Sequence, residues 1–205
     1  MIGLGRAETA LMFDEATEAW LLRYARLAVE EEVLRRYPTR AKAPIDIGAP
    51  PNEPKFDHKY RIFVTWRRGS ALVGCIGHLE PLKPLLEAVA TLSIGAALED
   101  PRTPVPDPEE IERLSVSISV LGAPHAIPGR GLTQIANLLI PGEDAVILTD
   151  GIRRAFFLPS VWQSYPDPAD FLRALAIKGG WDPITQGDDL EGLRLAVHCL
   201  EASTE

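Results

Sequence analysis

Cysteine is scarce: the 205 residues hold two, Cys75 and Cys199. Two cysteines so far apart in the chain cannot staple a small secreted scaffold, and they lack the paired C-x-x-C spacing of a structural zinc site. A reducing compartment is the expectation. Long apolar runs are missing as well, none approaching the roughly 18 residues needed to span a bilayer. The opening stretch MIGLGRAETALMFDEATEAW carries Glu8, Asp14 and Glu15 where a leader would need a positive start and an apolar body. No leader is expected, and the chain reads as soluble and cytoplasmic. Concentrated positive charge is absent too. The formal net charge is -8, and the basic pairs Arg35-Arg36, Arg67-Arg68 and Arg153-Arg154 are scattered and form no stripe. Such a balance repels phosphate backbones, so nucleic acid is a poor default partner. There is no G-x-S-x-G nucleophile elbow, no internal repeat and no low-complexity tract.

What is present is an ordinary globular composition, 46% hydrophobic and 24% charged, long enough to bury a core. Eighteen prolines and sixteen glycines punctuate apolar periodic segments. From Asp14 to Arg36, Leu22, Ala25, Val29 and Val33 recur on one side, which predicts a helix started by Asp14. Pro38, Pro44, Pro50, Pro51 and Pro54 then predict an irregular surface strap over 38–56. YRIFVTW (60–66) and ALVGCI (71–76), joined by RRGS, predict a hairpin whose second strand ends at Gly77. A helix is predicted over 82–99 with Pro84 in its first turn. DPEEIERL (107–114) carries a capping signal, and LSVSISVL (114–121) alternates apolar residues against Ser115, Ser117 and Ser119. AVILT, Asp150-Gly151 and IRRAFFL predict a tight hairpin, with Arg153 and Arg154 on alternate faces of its second strand. Asp167-Pro168 opens a helix closed near Lys178 by Gly179-Gly180, and LRLAVHCL (193–200) predicts one final strand. Helices and hairpins interleave without a strand-helix-strand repeat, so the fold class is α+β with mostly antiparallel sheets flanked by helices.

The stretch ALVGCIGHLEP (71–81) sets a cysteine between two glycines and a histidine three residues on. A cysteine reacts as its thiolate, and a helix N-terminus following closely in sequence would favour that anion. His78 could act as the base for Cys75, and Gly74 and Gly77 could let a substrate approach. Equally, Cys75 could be a small buried hydrophobe with glycines present for close packing. A metal reading would need ligands from His58, His125, His198 or Asp100, and nothing in their spacing demands convergence. Asp100 and Arg102 in EDPRTP, with Ser117 on the hydroxyl face, are candidates for binding a ligand. The bland alternatives are an Asx turn before Pro101, a surface ion pair and a solvated strand face. Cys199 and His198 point to opposite strand faces and read as structural.

Taken in order, FVTW (63–66), GCIG (74–77), ALEDPRTP (97–104), LSVSISVLGAP (114–124), LPSVW (158–162) and FLRALAIKGGW (171–181) resemble the AMMECR domain family, whose bacterial members are called AmmeMemoRadiSam system protein A. The resemblance covers a single domain over 12–200, leaving 1–11 as an N-terminal extension and 201–205 as a tail. It implies two unequal subdomains flanking a cleft near the GCIG segment. It also implies Memo-type and radical S-adenosylmethionine proteins as partners. It supplies no reaction and no cofactor. Two departures stand out: the family's usual Arg before GCIG is Val73 here, and a His-Gly pair frequent before the late hairpin is Asp144-Ala145. Three functions follow as alternatives: an enzyme or enzyme component using the Cys75 thiolate on a small molecule or protein side chain, a non-catalytic adaptor, and a nucleic-acid binder.

Overall fold

The computed structural model describes residues 13–39 and 45–202. These fall into two compact units, one running through Val120 and resuming at His198, the other spanning Leu121–Val197. Each has its own four-stranded sheet and its own apolar core.

In the first unit, Asp14 starts α1 (Glu15–Arg36) by accepting from the Thr17 amide at 2.7 Å. This satisfies one of the helix's orphan donors. Trp20, Leu21, Ala25, Val29 and Val33 form its buried face. Arg26 reaches from α1 to the carbonyls of Ile111 (2.8 Å) and Leu114, and its guanidinium lies 5.4 Å from the centroid of the buried Trp66 ring. Residues 40–44 of the expected strap lie outside the described residues; the rest of it is irregular apart from a short 3-10 turn at Pro54–Asp57.

β1 (Arg61–Arg68) and β2 (Ala71–His78) form the expected antiparallel hairpin, with Thr65 opposite Cys75 and Phe63 opposite Gly77. The second strand does not stop at Gly77 but continues to His78, because Gly77 still pairs with Phe63. α2 (Leu85–Leu98) follows, shorter than 82–99 at its start because Pro84 occupies the cap position. β3 (Ser115–Leu121) has Val116, Ile118 and Val120 buried, as its alternation predicts. The strand order is β2-β1-β3-β8, where β8 is the late strand Val197–Glu201, and this makes β2 an edge.

The second unit orders its strands β4-β7-β5-β6, from β4 (His125–Ala126), β5 (Ala145–Thr149), β6 (Arg154–Phe157) and β7 (Glu191–Leu195). The β4–β7, β5–β7 and β5–β6 pairings are antiparallel. Two helices, α3 (Leu132–Ala136) and α4 (Pro168–Lys178), contribute Ile135, Phe171, Leu172 and Leu175 to its core. The Trp162 ring stacks on Phe171 at 3.8 Å. Thr149 pairs with Arg154, so the late turn holds four residues and Arg153 lies in the loop, not on the strand. Gly151 there has φ +89°, a conformation that favours glycine.

The final strand expected over 193–200 is two strands: β7 ends at Leu195 and β8 (Val197–Glu201) begins after Ala196 in the other sheet. The buried residues show why. Leu195 and Leu200 are both fully enclosed yet an odd number of positions apart, and a single pleated strand cannot turn both inward on one face.

Candidate functional site

The site is built on the outer edge of β2. Cys75 is opposite Thr65, and the Thr65 hydroxyl donates to the Cys75 Sγ at 3.3 Å. The sulfur therefore shares Thr65's face of the sheet. The other face belongs to α2: a Cβ added to Gly74 would overlap the Ala96 carbonyl, and the Asp100 Cβ is next in line. Cys75 is half-buried, so its side chain is neither sealed into the core nor fully in water.

The peptide groups of Cys75 that point away from β1 are taken by the segment just beyond α2. The Cys75 amide donates to Asp100 Oδ2 at 2.9 Å, and its carbonyl accepts from Arg102 Nη2 at 2.7 Å. Arg102 in turn grips Asp100, Nε to Oδ1 at 2.9 Å and Nη2 to Oδ2 at 2.5 Å. One residue on, the Thr103 hydroxyl donates to the carbonyl of Val73. DPRT thus covers an edge strand whose open amides and carbonyls would otherwise be free to pair with another chain. Asp100 is 5% exposed, and the Arg102 guanidinium, with the two amides, holds its carboxyl well below the usual carboxylate range. Arg102 is pushed up by the same pairing and also feels the Cys75 thiol electrostatically.

These contacts bring together Gly74, Cys75, Asp100 and Arg102. They do not bring in His78. Three residues along a strand whose pairing with β1 runs unbroken through Thr65, Val64, Phe63 and Ile62 place Cys75 and His78 on opposite faces. The end of α2 beside β2 is the C-terminal one, carrying Ala96 and followed by Asp100, so its dipole opposes an anion there. The space in front of Gly77 is filled by Phe63 and that beside Gly74 by Ala96. Both glycines permit close packing within the protein.

Ser117 lies in a depression of about 890 Å³ bounded by α1 on one side and by β1, β3 and the end of β8 on the other. Thr65, Arg67 and Ser115 line it too, so Thr65 links this depression to the Cys75 sulfur. Thr65 was not singled out by the sequence; pairing it with Cys75 across the hairpin was the signal available. Among the described residues no group of three or more His, Cys, Asp and Glu side chains is arranged to hold a metal ion. His198 Nε2 lies 2.5 Å from Glu18 Oε1, and Cys199 is contacted by the Ser119 hydroxyl. No helix among the described residues is long and apolar enough to cross a membrane.

Val73 and Asp144 both have structural roles. Val73 is buried in the core, and the positive charge beside Cys75 comes from Arg102. Asp144 is buried, accepts from the Ile140 amide at 2.8 Å, and through its carbonyl holds the Trp162 indole at 2.8 Å. Desolvation pushes its carboxyl up.

Known proteins match most of the chain. The AMMECR1 family profile aligns with residues 22–199. A protein from Methanothermobacter thermautotrophicus is 33% identical over 164 residues, covering 80% of this chain and 82% of its own. One from Thermococcus gammatolerans is 36% identical over 172 residues, covering 80% and 79%. The crystal structure of an uncharacterized protein from Pyrococcus horikoshii superposes with a TM-score of 0.75 at 32% identity, over 91% of each chain. With two thirds and more of its length matched at these identities, the chain belongs to the AMMECR1 family.

Proposed function

We propose that this protein is an enzyme or enzyme component whose reacting group is the thiolate of Cys75, acting on a small molecule or a protein side chain. The observation that carries the reading is a half-buried Cys75 whose sulfur accepts from the Thr65 hydroxyl while both outward peptide groups of the residue are clamped by Asp100 and Arg102. A residue whose backbone is fixed at both peptide groups carries its nucleophile to a reactant with little loss of freedom, and the Thr65 hydroxyl donates directly to the sulfur. In this reading Thr65 supports the sulfur, and His78, on the other face, is not its base. Gly74 lets the strand sit close to α2, and Gly77 lets Phe63 pack across it. Ser117 offers a hydroxyl to whatever enters the depression beside Thr65. The two free cysteines suit a reducing, cytoplasmic setting, and Memo-type and radical S-adenosylmethionine proteins are the partners in this reading.

The test is labelling with iodoacetamide at neutral pH, without denaturant, read by peptide mass spectrometry. Cys75 is expected to be alkylated in the native protein, and Thr65→Val to slow this several-fold. A Cys75 that takes label only after denaturation removes the proposal.

A second reading, a non-catalytic adaptor, is favoured by one observation. Ile152 and Ile184 are each 93% exposed. Nearby, Asp150 Oδ2 accepts from the Trp181 indole at 2.8 Å and from Arg153 Nε at 2.9 Å, while Arg153 Nη1 donates to the Gly180 carbonyl. That knot holds the loop carrying Ile152 rigidly, as suits a contact surface.

A further inference from the structure

Resting on the Cys75 reading, we propose that the substrate is an oxyanion-bearing molecule, a carboxylate or a phosphate, whose charged end is received by Arg102 while its electrophilic carbon lies over the Cys75 sulfur.

Arg102 is an unusual surface arginine. Its side chain is 57% exposed, yet its Nε and Nη2 are held by a carboxylate that is 2% exposed and by the Cys75 carbonyl. A long side chain ordinarily spends rotamer freedom when it captures an anion; here that entropy has been lost on folding. Nη1 remains, and among the described residues no protein acceptor lies on its two N–H bonds. The guanidinium thus presents an ordered donor pair to solvent immediately beside the residue that bears the thiol. Arginine suits this role because its charge persists at any working pH and its donors are fixed in a plane.

The sheet supplies a path for the rest of the molecule. Arg102 stands at the outer edge of β2, Cys75 is on β2, Thr65 faces it from β1, and Ser117 follows on β3 in the depression that Thr65 also lines. Strands lie about 4.8 Å apart, so a ligand anchored at Arg102 passes over the sulfur and reaches hydroxyls beyond it. The depression itself is lined by Arg23, Arg26 and Arg67 beside Glu15, Glu18 and Glu201. Arg102 stands outside that lining, at the β2 edge, and is the arginine in contact with the Cys75 residue.

The experiment compares two alkylating reagents of nearly equal shape, iodoacetate and iodoacetamide. Each reacts by forming an S–C bond to Cys75 as the C–I bond breaks and iodide leaves. Both attack the same thiolate, so the ratio of their rates cancels its degree of ionisation. On a protein of net charge -8 the anionic reagent is otherwise the slower one. With an anion receptor beside the sulfur, the iodoacetate-to-iodoacetamide ratio at Cys75 exceeds that at Cys199, or at Cys75 in denaturant, by about fivefold, the size of an exposed ion pair. Arg102→Gln abolishes the excess and Arg102→Lys restores part of it. Because Arg102 also covers the strand edge, the wild-type protein provides its own control: salt raised to about 0.5 M lowers the ratio by screening. Protection of Cys75 from iodoacetamide by acetate and by inorganic phosphate, at matched ionic strength, distinguishes the two anion sources. If both reagents label Cys75 and the ratio is indifferent to salt and to Arg102→Gln, the anion inference fails and the reactive thiol stands. If neither labels native Cys75, the thiol reading fails and takes the inference with it.

Discussion

Asp100 shows how much one side chain decides at this site. It accepts from the Cys75 amide, from the Arg102 amide and from the Arg102 guanidinium, and it is almost fully enclosed. Its carboxyl is held below the ordinary value of 3.8 first by the guanidinium and then by the amides. A carboxylate that binds protons less readily in the folded state contributes stability above its unfolded-state value and loses that contribution as the pH falls below about 4. Asp100→Asn is therefore expected to lower stability by about 2 kcal/mol at pH 7, the size of lost hydrogen bonds to a charged group. Urea midpoints of the variant and the wild type should converge as the pH is taken below about 4. A difference independent of pH would mean that Asp100 acts by shape alone. Cys75 and Asp100 were both legible in the sequence as candidates. Their hydrogen bond was not, since Asp100 follows a helix whose return angle no local pattern specifies.

At the scale of elements, the strand β2 and the end of α2 form one unit of packing. Gly74 is where they touch: its missing side chain is the space taken by the Ala96 carbonyl and the Asp100 Cβ. The obstruction is backbone, which cannot swing aside, so Gly74→Ala must part the helix from the strand. A loss of about 3 kcal/mol is expected, at the upper end for overpacking a core, measured as a fall in urea midpoint at constant slope. The variant should also weaken the Asp100 clamp and change the rate at which Cys75 is alkylated. Unchanged stability would show that the interface relaxes without cost. Most elements here were readable in advance. The caps at Asp14 and Asp167, the alternation of β3 and the glycines after Lys178 are local signals, satisfied by neighbours a few residues away. β4 and α3 were not foreseen, being two and five residues long, too short to show a period.

For the molecule as a whole, charge and surface set the expectations. The net charge is -8, and the basic pairs are scattered along the sequence. The exposed surface instead offers Ile152 and Ile184, and these separate the two functional readings. The double variant Ile152→Asp and Ile184→Asp removes apolar surface that contacts little, so stability should stay within about 0.5 kcal/mol of wild type. Under the enzyme reading, alkylation of Cys75 is unaffected. If the variant instead loses co-purification with Memo-type or radical S-adenosylmethionine partners while Cys75→Ser retains it, the adaptor reading prevails. By itself the sequence determined the α+β class, the antiparallel hairpins, most helix ends and the family, because all of these rest on periodicity, capping and short-range spacing. Tertiary structure alone decided that Cys75 meets the segment at the C-terminal end of α2 and that Arg102 grips its carbonyl. Those facts depend on how a strand's two faces and one open edge are shared among distant segments, and a pattern of period two names the faces without saying what will cover them.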